Sequence, residues 1–449
     1  MSQAPPPIRL RERDAILQSL RAGVVPRIGL YHIQVGRKEE VSAVLQDLAR
    51  IADGGASVRF IIGRFGAGKS FFLNLARIVA MEQRYVVLQA DITTDRRLHA
   101  TGGQARALYT ELMQGLSVRA RPEGGALPSV VERWVSEVYQ HLRDSGAQDA
   151  DMRKAINERL KFLQDFVSGY DFATVVARYF EGYEQDDDML MQSALRWLRA
   201  EYTTKTEARR DLGVRSIIDD ADVYDYLKLF AAFVRMAGYA GLVVNLDEMG
   251  VLSHRLNNSQ ARNANYEMIL RILNDCLQGS VSGIGFMFAG TSAFLDDKRR
   301  GLASHEALAS RLADNTFAVG GIRDLSGPVI RLENLSPEDL YVLLHNIRRV
   351  FAAGDPAKYL VPDEALTAFL THCSRTLGAG FYQTPRDSVK AFVGFLSVLE
   401  QNPGTDWRQM LDAVQVEQTC DSDAEPSSAE QTASPTQRGE DNDLATFEL

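Results

Sequence analysis

The sequence predicts an α/β fold: a parallel sheet flanked by helices, with a phosphate-binding loop, a helical insertion and a C-terminal helical lid. Three observations predict it. The octet Gly63-Arg64-Phe65-Gly66-Ala67-Gly68-Lys69-Ser70 follows a short apolar run, Val58 to Ile62 with Arg59 inside it, and leads into Phe71-Phe72-Leu73. A second apolar run, Leu242-Val243-Val244-Asn245-Leu246, ends in the paired acids Asp247-Glu248. Beyond the last apolar strand, three further stretches read as helices with clear starts.

Composition narrows the class. A chain of 449 residues is long enough for two or three domains, and its 45% hydrophobic and 24% charged residues suit an ordinary soluble protein. No apolar run is long enough to span a bilayer, and Met1-Ser2-Gln3-Ala4-Pro5-Pro6-Pro7 lacks the pattern of a secretory signal, so the expectation is a cytoplasmic protein with no membrane contact. Cys276, Cys373 and Cys420 are few, odd in number and far apart, which excludes a disulfide framework and a zinc site. A net charge of −9 argues against nucleic-acid binding over the whole surface and leaves room only for a local basic patch.

In chain order, residues 8–22 form an amphipathic pattern closed by Gly23. Val24-Val25-Pro26-Arg27-Ile28-Gly29-Leu30 follows, then Gly36-Arg37-Lys38-Glu39 opens a second helical pattern that stops at Gly54-Gly55. An apolar segment with a fixed proline before the loop-bearing strand, here Val25-Pro26, serves either as the floor of an adenine pocket or as a plain turn. In the octet, the strand–turn–helix context and the G-x-x-x-x-G-K-S spacing specify phosphate binding. The glycines let backbone N–H groups of Gly63, Arg64, Phe65, Gly66, Ala67, Gly68, Lys69, Ser70 and Phe71 curl around an anion at a helix N-terminus. Lys69 is expected on the β- and γ-phosphates and Ser70 on Mg²⁺.

Residues 84–91 read as a second strand ending at Asp91, and a polar stretch with His99 follows; charged groups there stand where open α/β sheets bind ligands, though His99 alone suits a solvated loop. A helical pattern covers 104–116. From 118 to 234 the chain stays helical, with Trp134, Tyr170, Phe172, Tyr183 and Trp197 spaced for packing and Asp186-Asp187-Asp188 suited to a turn or a helix start. The separation of Lys69 from Asp247 exceeds what a minimal core needs, so this stretch is an insertion.

Two acids at the mouth of a buried strand are costly unless they serve a ligand. Asp247 is therefore assigned to the metal and Glu248 to the attacking water. Residues 253–263 read as polar and 266–277 as an amphipathic helix. Residues 284–289 form another strand, leading to Thr291, a hydroxyl suited both to sensing the γ-phosphate and to capping a helix. Arg311 is the first choice for an arginine finger reaching a neighbouring subunit, with Arg299 and Arg300 behind it; the alternative for each is a surface ion pair. Residues 329–332 close the sheet.

Ser336-Pro337-Glu338-Asp339 starts the first lid helix, with the second over 363–377 and the third over 385–400. Thr384-Pro385 places Arg386 in a first helical turn, where a cation is unfavourable for the dipole and asks for an anion. Residues 417–443 are polar and acidic, the pattern of a disordered tail, and Leu444-Ala445-Thr446-Phe447-Glu448-Leu449 is apolar again, as in a docking peptide. The expected domains are 1–56, the core 57–332 with its insertion near 118–234, the lid 333–416 and the tail 417–449.

The order of these motifs resembles that of an AAA+ ATPase. Val25-Pro26 and Gly36-Arg37-Lys38-Glu39 resemble the adenine-binding segment of the origin-recognition branch of that class. Three further stretches resemble the ATP-binding protein of the BREX phage-defence system: Gly102-Gly103-Gln104-Ala105-Arg106-Ala107-Leu108-Tyr109, Ile217-Ile218-Asp219-Asp220-Ala221 with Tyr224-Asp225-Tyr226-Leu227-Lys228, and Asp296-Asp297-Lys298-Arg299-Arg300-Gly301. The resemblance implies ATP and Mg²⁺ as ligands, Thr291 and Arg386 as first and second sensors, and Arg311 as the finger. Origin-recognition proteins carry a winged helix after the lid. Residues 401–416 are too few for one, so contact with DNA is expected to be indirect.

The expected function is therefore an ATP-hydrolysing AAA+ protein in anti-phage defence, acting as a homo-oligomer or with a helicase or nuclease partner. The alternatives are a non-hydrolysing ATP switch or scaffold and, less well suited to the paired acids, a P-loop small-molecule kinase.

Overall fold

Side chains alternate across a strand, so each strand assigns its own residues to one helical layer or the other. The computed structural model describes residues 8–144, 149–318, 323–377 and 385–413. Its chain opens with α1 (Leu10–Arg21), a 3₁₀ turn (Leu30–His32), α2 (Lys38–Ala52), β1 (Ala56–Ile62), α3 (Lys69–Glu82), β2 (Val86–Asp91) and α4 (Gln104–Gln114). Six helices follow: α5 (Leu127–Asp144), α6 (Asp149–Gln164), α7 (Gly169–Gln185), α8 (Asp188–Leu198), α9 (Lys205–Leu212) and α10 (Val223–Met236). Then come β3 (Leu242–Asp247), α11 (Gly250–His254), α12 (Ser259–Leu277), β4 (Ile284–Gly290), α13 (Ser292–Asp296), α14 (Glu306–Arg311) and β5 (Val329–Arg331). The lid comprises α15 (Pro337–Phe351), α16 (Asp363–Leu377), α17 (Pro385–Gln401) and α18 (Trp407–Ala413).

The five strands form one parallel sheet in the order β2-β3-β4-β1-β5, so β4 separates the loop-bearing strand from the acid-bearing strand. Val58, Phe60 and Ile62 of β1, Val244 and Leu246 of β3, and Phe286 and Phe288 of β4 face one layer, which α4, α10 and α12 cover. Ile61, Val87, Val243, Met287 and Ile330 face the other, against α2 and α3. Arg59 also faces the α2 side. Its buried guanidinium meets the buried Asp47 carboxylate of α2 in a two-pronged pair, 2.5 and 2.9 Å, and donates to Leu325 O at 2.8 Å. Fork geometry and full pairing are what make a buried charge tolerable in a strand.

The inserted helices share the core of the sheet. Trp134 and Phe172 each place a ring centroid 5.7 Å from that of Phe233, and Trp197 lies 5.6 Å from Tyr226. Two of the aromatics expected to pack do not. Tyr170 is 63% and Tyr183 50% exposed, because each lies on the outer face of α7, whose inner face carries Phe172, Val176 and Tyr179. The polar stretch 253–263 is also more helical than expected. Asn258 accepts from Gln260 N and Ala261 N, and this cap starts α12 seven residues before Tyr266.

A separate core forms the lid, around Phe369, Phe392 and Phe395. Ile16 and Leu17 of α1 are buried in it, and Arg13 donates to Phe351 O at 2.7 Å while its guanidinium lies over the Phe351 ring. Thus α1 packs on α15 and α17, whereas α2 packs on the sheet. Residues 417–449, expected as a tail, lie outside the described residues, as does Thr384.

Candidate nucleotide site

At the C-terminal edge of the sheet four strand ends and one lid residue converge. β1 runs into the loop: Gly63 N donates to Gly290 O of β4 at 3.2 Å, and Gly66 and Gly68 take φ of 75° and 90°. Those left-handed angles suit glycine, and Gly68 is the residue from which α3 starts. Lys69 Nζ donates to Gly63 O at 3.1 Å and to Arg64 O at 2.9 Å, so its ammonium lies across the mouth of the loop. Phe71 turns to the lid core and Phe72 to the sheet.

On β3 the parity is informative. Asn245 is fully buried and donates to Leu73 O of α3 at 3.4 Å. Asp247, two residues on, shares that face and so points toward the start of the loop helix. It is 5% exposed and accepts from Glu248 N at 2.8 Å. Glu248 takes φ of 56°, a conformation rare for a residue with a side chain. Immediately after it, Met249 N donates to Ala289 O of β4. The acid is thus held out of line with the strand, where the Lys69 charge acts on it. Loss of hydration against the sheet, then the Asp247 carboxylate, raises the Glu248 pKa; Lys69 opposes them.

Thr291 follows β4. Its hydroxyl accepts from Phe294 N at 3.3 Å, capping α13, and a Cβ placed on Gly250 would stand 3.7 Å from it. The hydroxyl therefore sits beside the turn that carries Glu248. Sequence reasoning undervalued Asp91, which pairs in register with Asp247 across β2 and β3. Burial and then Asp247 raise its pKa, while Arg96 and Arg27 lower it. Its position at a strand end was visible; its alignment with Asp247 required the register. A nearby cleft of about 780 Å³, lined by Arg96, Arg106, Glu111 and Glu201 among others, contains no residue of the phosphate loop.

The lid closes over this edge. Arg386 lies over the Phe65 ring of the loop at 5.5 Å, and on its other side a Cβ on Gly23 would come within 2.9 Å of its Nε. The family described as BREX system ATP-binding protein BrxC/D matches residues 8–415. The chain belongs to that family. No curated protein matches it.

ATP binding is the property for which the BrxC/D family is described, and the phosphate loop, the acid-bearing strand and the lid all fall within its matched span. Val25 is half-buried and Pro26 buried, in the turn between α1 and the 3₁₀ segment. The finger candidates divide. Arg300 turns inward and donates to His254 O at 3.1 Å, bracing α11. Arg299 is exposed, and so is Arg311, whose Nη1 donates to Ala307 O of its own helix at 3.0 Å. No helix among the described residues is long and apolar enough to cross a membrane.

Proposed function

We propose that this chain binds ATP with Mg²⁺ at the edge where β1, β3 and β4 end, hydrolyses it, and uses the nucleotide state to assemble with copies of itself or a DNA-processing partner in phage defence. The observation that carries this reading is the order of the strands. Strand β4, which Thr291 follows, lies between β1, which leads into the loop of Lys69, and β3, which ends in Asp247 before Glu248.

In this reading the loop N–H groups and Lys69 hold the β- and γ-phosphates. Ser70 and Asp247 would hold Mg²⁺. An ion there would be completed by phosphate and water oxygens, as Mg²⁺ usually is. Bound there, the ion neutralises charge developing on the phosphates. Glu248 accepts the proton of the attacking water. Thr291 orients that water or the γ-phosphate. Val25 and Pro26 would floor the base, Arg386 would read the phosphates from the lid, and Arg311 of a neighbouring copy would complete the site.

The test is Mg²⁺-dependent phosphate release by the full chain, with and without DNA, against Glu248→Gln. Release by the native chain that this substitution removes supports the reading. Release at the native rate by Glu248→Gln sinks the assignment of the base.

A further inference from the structure

The lid is joined to the sheet by two crossings of the chain. One lies just ahead of α2, between the arm that packs on the lid and the helix that packs on the sheet. The other runs from β5 to α15, through Glu333, Asn334 and Leu335. Arg37 stands in the first crossing and holds the second. Its Nη2 donates to Glu333 O at 2.5 Å and to Ala67 O at 3.2 Å, and its Nη1 donates to Glu40 Oε1 at 3.3 Å. The side chain is 10% exposed, and the backbone is left-handed at φ of 60°, a conformation unfavourable for a residue with a side chain. Beside it, Gly36 lies against Asp339, which with Ser336 forms the cap that starts the lid. Glu40 is buried and also accepts from Arg323 at 2.9 Å, so the anchoring acid is itself fixed.

The Ala67 carbonyl belongs to the peptide whose N–H is that of Gly68. In a planar trans peptide the two groups point in opposite directions. Drawing the Ala67 oxygen toward Arg37 therefore fixes the opposite heading of the Gly68 N–H, one of the loop donors meant for phosphate. The Glu333 carbonyl likewise fixes the first peptide of the lid crossing. We propose that Arg37 is a positioning residue that ties the phosphate loop to both crossings of the lid, so that loop shape and lid tilt change together. The proposal deepens the nucleotide reading and rests on it. It depends on a planar fork with several donors; a lysine ammonium is a point charge that does not reproduce the fork.

The full chain carrying Arg37→Lys tests this, with Arg37→Gln as a second variant and Glu40→Gln as a control that removes the ion pair but leaves both carbonyl bonds. Amide hydrogen exchange is followed over 64–69, 333–336 and α2, without ligand and with ATP, and ATP affinity is measured by calorimetry. In the ligand-free protein Arg37→Lys should raise exchange in 64–69 and 333–336 together and leave α2 unchanged. ATP should slow exchange at 333–336 in the native chain and in Glu40→Gln but not in Arg37→Lys, whose ATP affinity falls about tenfold, the scale of one lost hydrogen bond to a charged group. Retained ATP protection at 333–336 in both Arg37 variants, or increased exchange confined to α2, overturns the proposal. If the native chain binds no ATP, the nucleotide reading fails, and the ligand-free exchange still decides whether Arg37 ties the two windows.

Discussion

The edge of the sheet where β1, β3 and β4 end and the lid beside it are held by different means. The edge is set by backbone. Ile62 pairs with Gly290 and Asp91 with Asp247 in register, and the loop and the Glu248 turn each hydrogen-bond to β4. The lid is tied to its surroundings through side chains: Arg13 on Phe351 and Glu400, Arg21 on Ser397, Arg37 on Glu333 and Arg386 over Phe65. Ladders of parallel strands do not slip without moving every side chain to the wrong face. If the proposed function holds, the groups that act on ATP would lie on the backbone-held edge and those that respond to it on the lid.

The largest effects should therefore come from the edge. Lys69→Ala is expected to remove measurable ATP binding in calorimetry and, with it, the stabilisation of about 2.7 kcal/mol that a ligand at a hundredfold its dissociation constant confers. A normal ATP-induced shift in the melting of this variant would show that the loop is not the phosphate wall. Next is Glu248→Gln, which should keep ATP affinity and lose turnover by about 10²–10⁴, the usual contribution of a general base. A loss of affinity equal to the loss of turnover would move Glu248 from catalysis to binding.

The edge was also the more legible region. Gly63 to Ser70 and Asp247-Glu248 declare themselves because their chemistry needs neighbours in sequence. Arg59 was visible only as an anomaly in an apolar strand. Its partner Asp47 lies on helix α2, and nothing local announces the pair. The alliance of α1 with the lid was invisible for the same reason: an amphipathic face shows that a helix must be covered, not by what. Tyr170 and Tyr183 misled because aromatic spacing does not say which face of a buried helix is the wet one. Arg386 lies between these cases. Its helix start at Pro385 was readable, while Phe65 beneath it and Gly23 beside it were brought there by the fold.

For the lid, effects should be intermediate. Arg386→Ala is expected to lower turnover about tenfold while changing ATP affinity less, the loss of one charged contact made in the closed state. Phe65→Leu, which keeps the arginine and removes the ring, should cost only a few-fold, since an exposed cation–π contact is worth about 0.5–1 kcal/mol. Equal losses in the two variants would mean that Arg386 acts through Phe65 alone and never reaches the nucleotide.

The smallest expected effect separates the two regions by pH. His32 is buried where the arm meets the lid. Its Nε2 stands 3.5 Å from Glu12 Oε2, and Tyr31 donates to the same carboxylate at 2.9 Å. Burial, opposed by Glu12 and reinforced by Arg349, holds its pKa below the ordinary 6.5. In the window just below 6.5 the unfolded chain then binds a proton that the folded chain does not, so stability rises with pH and is lost on acidification. Glu12 acts lower: burial raises its pKa, but the Arg9 backbone, Tyr31 and His32 outweigh it, and the net value falls below 4.5. The Glu12 contribution is therefore still present while His32 is being forced to charge. Acidification from pH 7 toward 5.5 should lower the protection of amides in α1 and at α15, relative to their intrinsic exchange rates, before it lowers that of β1, β3 or β4. The slope cannot exceed that of one proton, about 1.4 kcal/mol per pH unit. His32→Gln should abolish that early loosening; if α1 loosens over the same pH range in this variant, another group at the arm–lid contact is responsible.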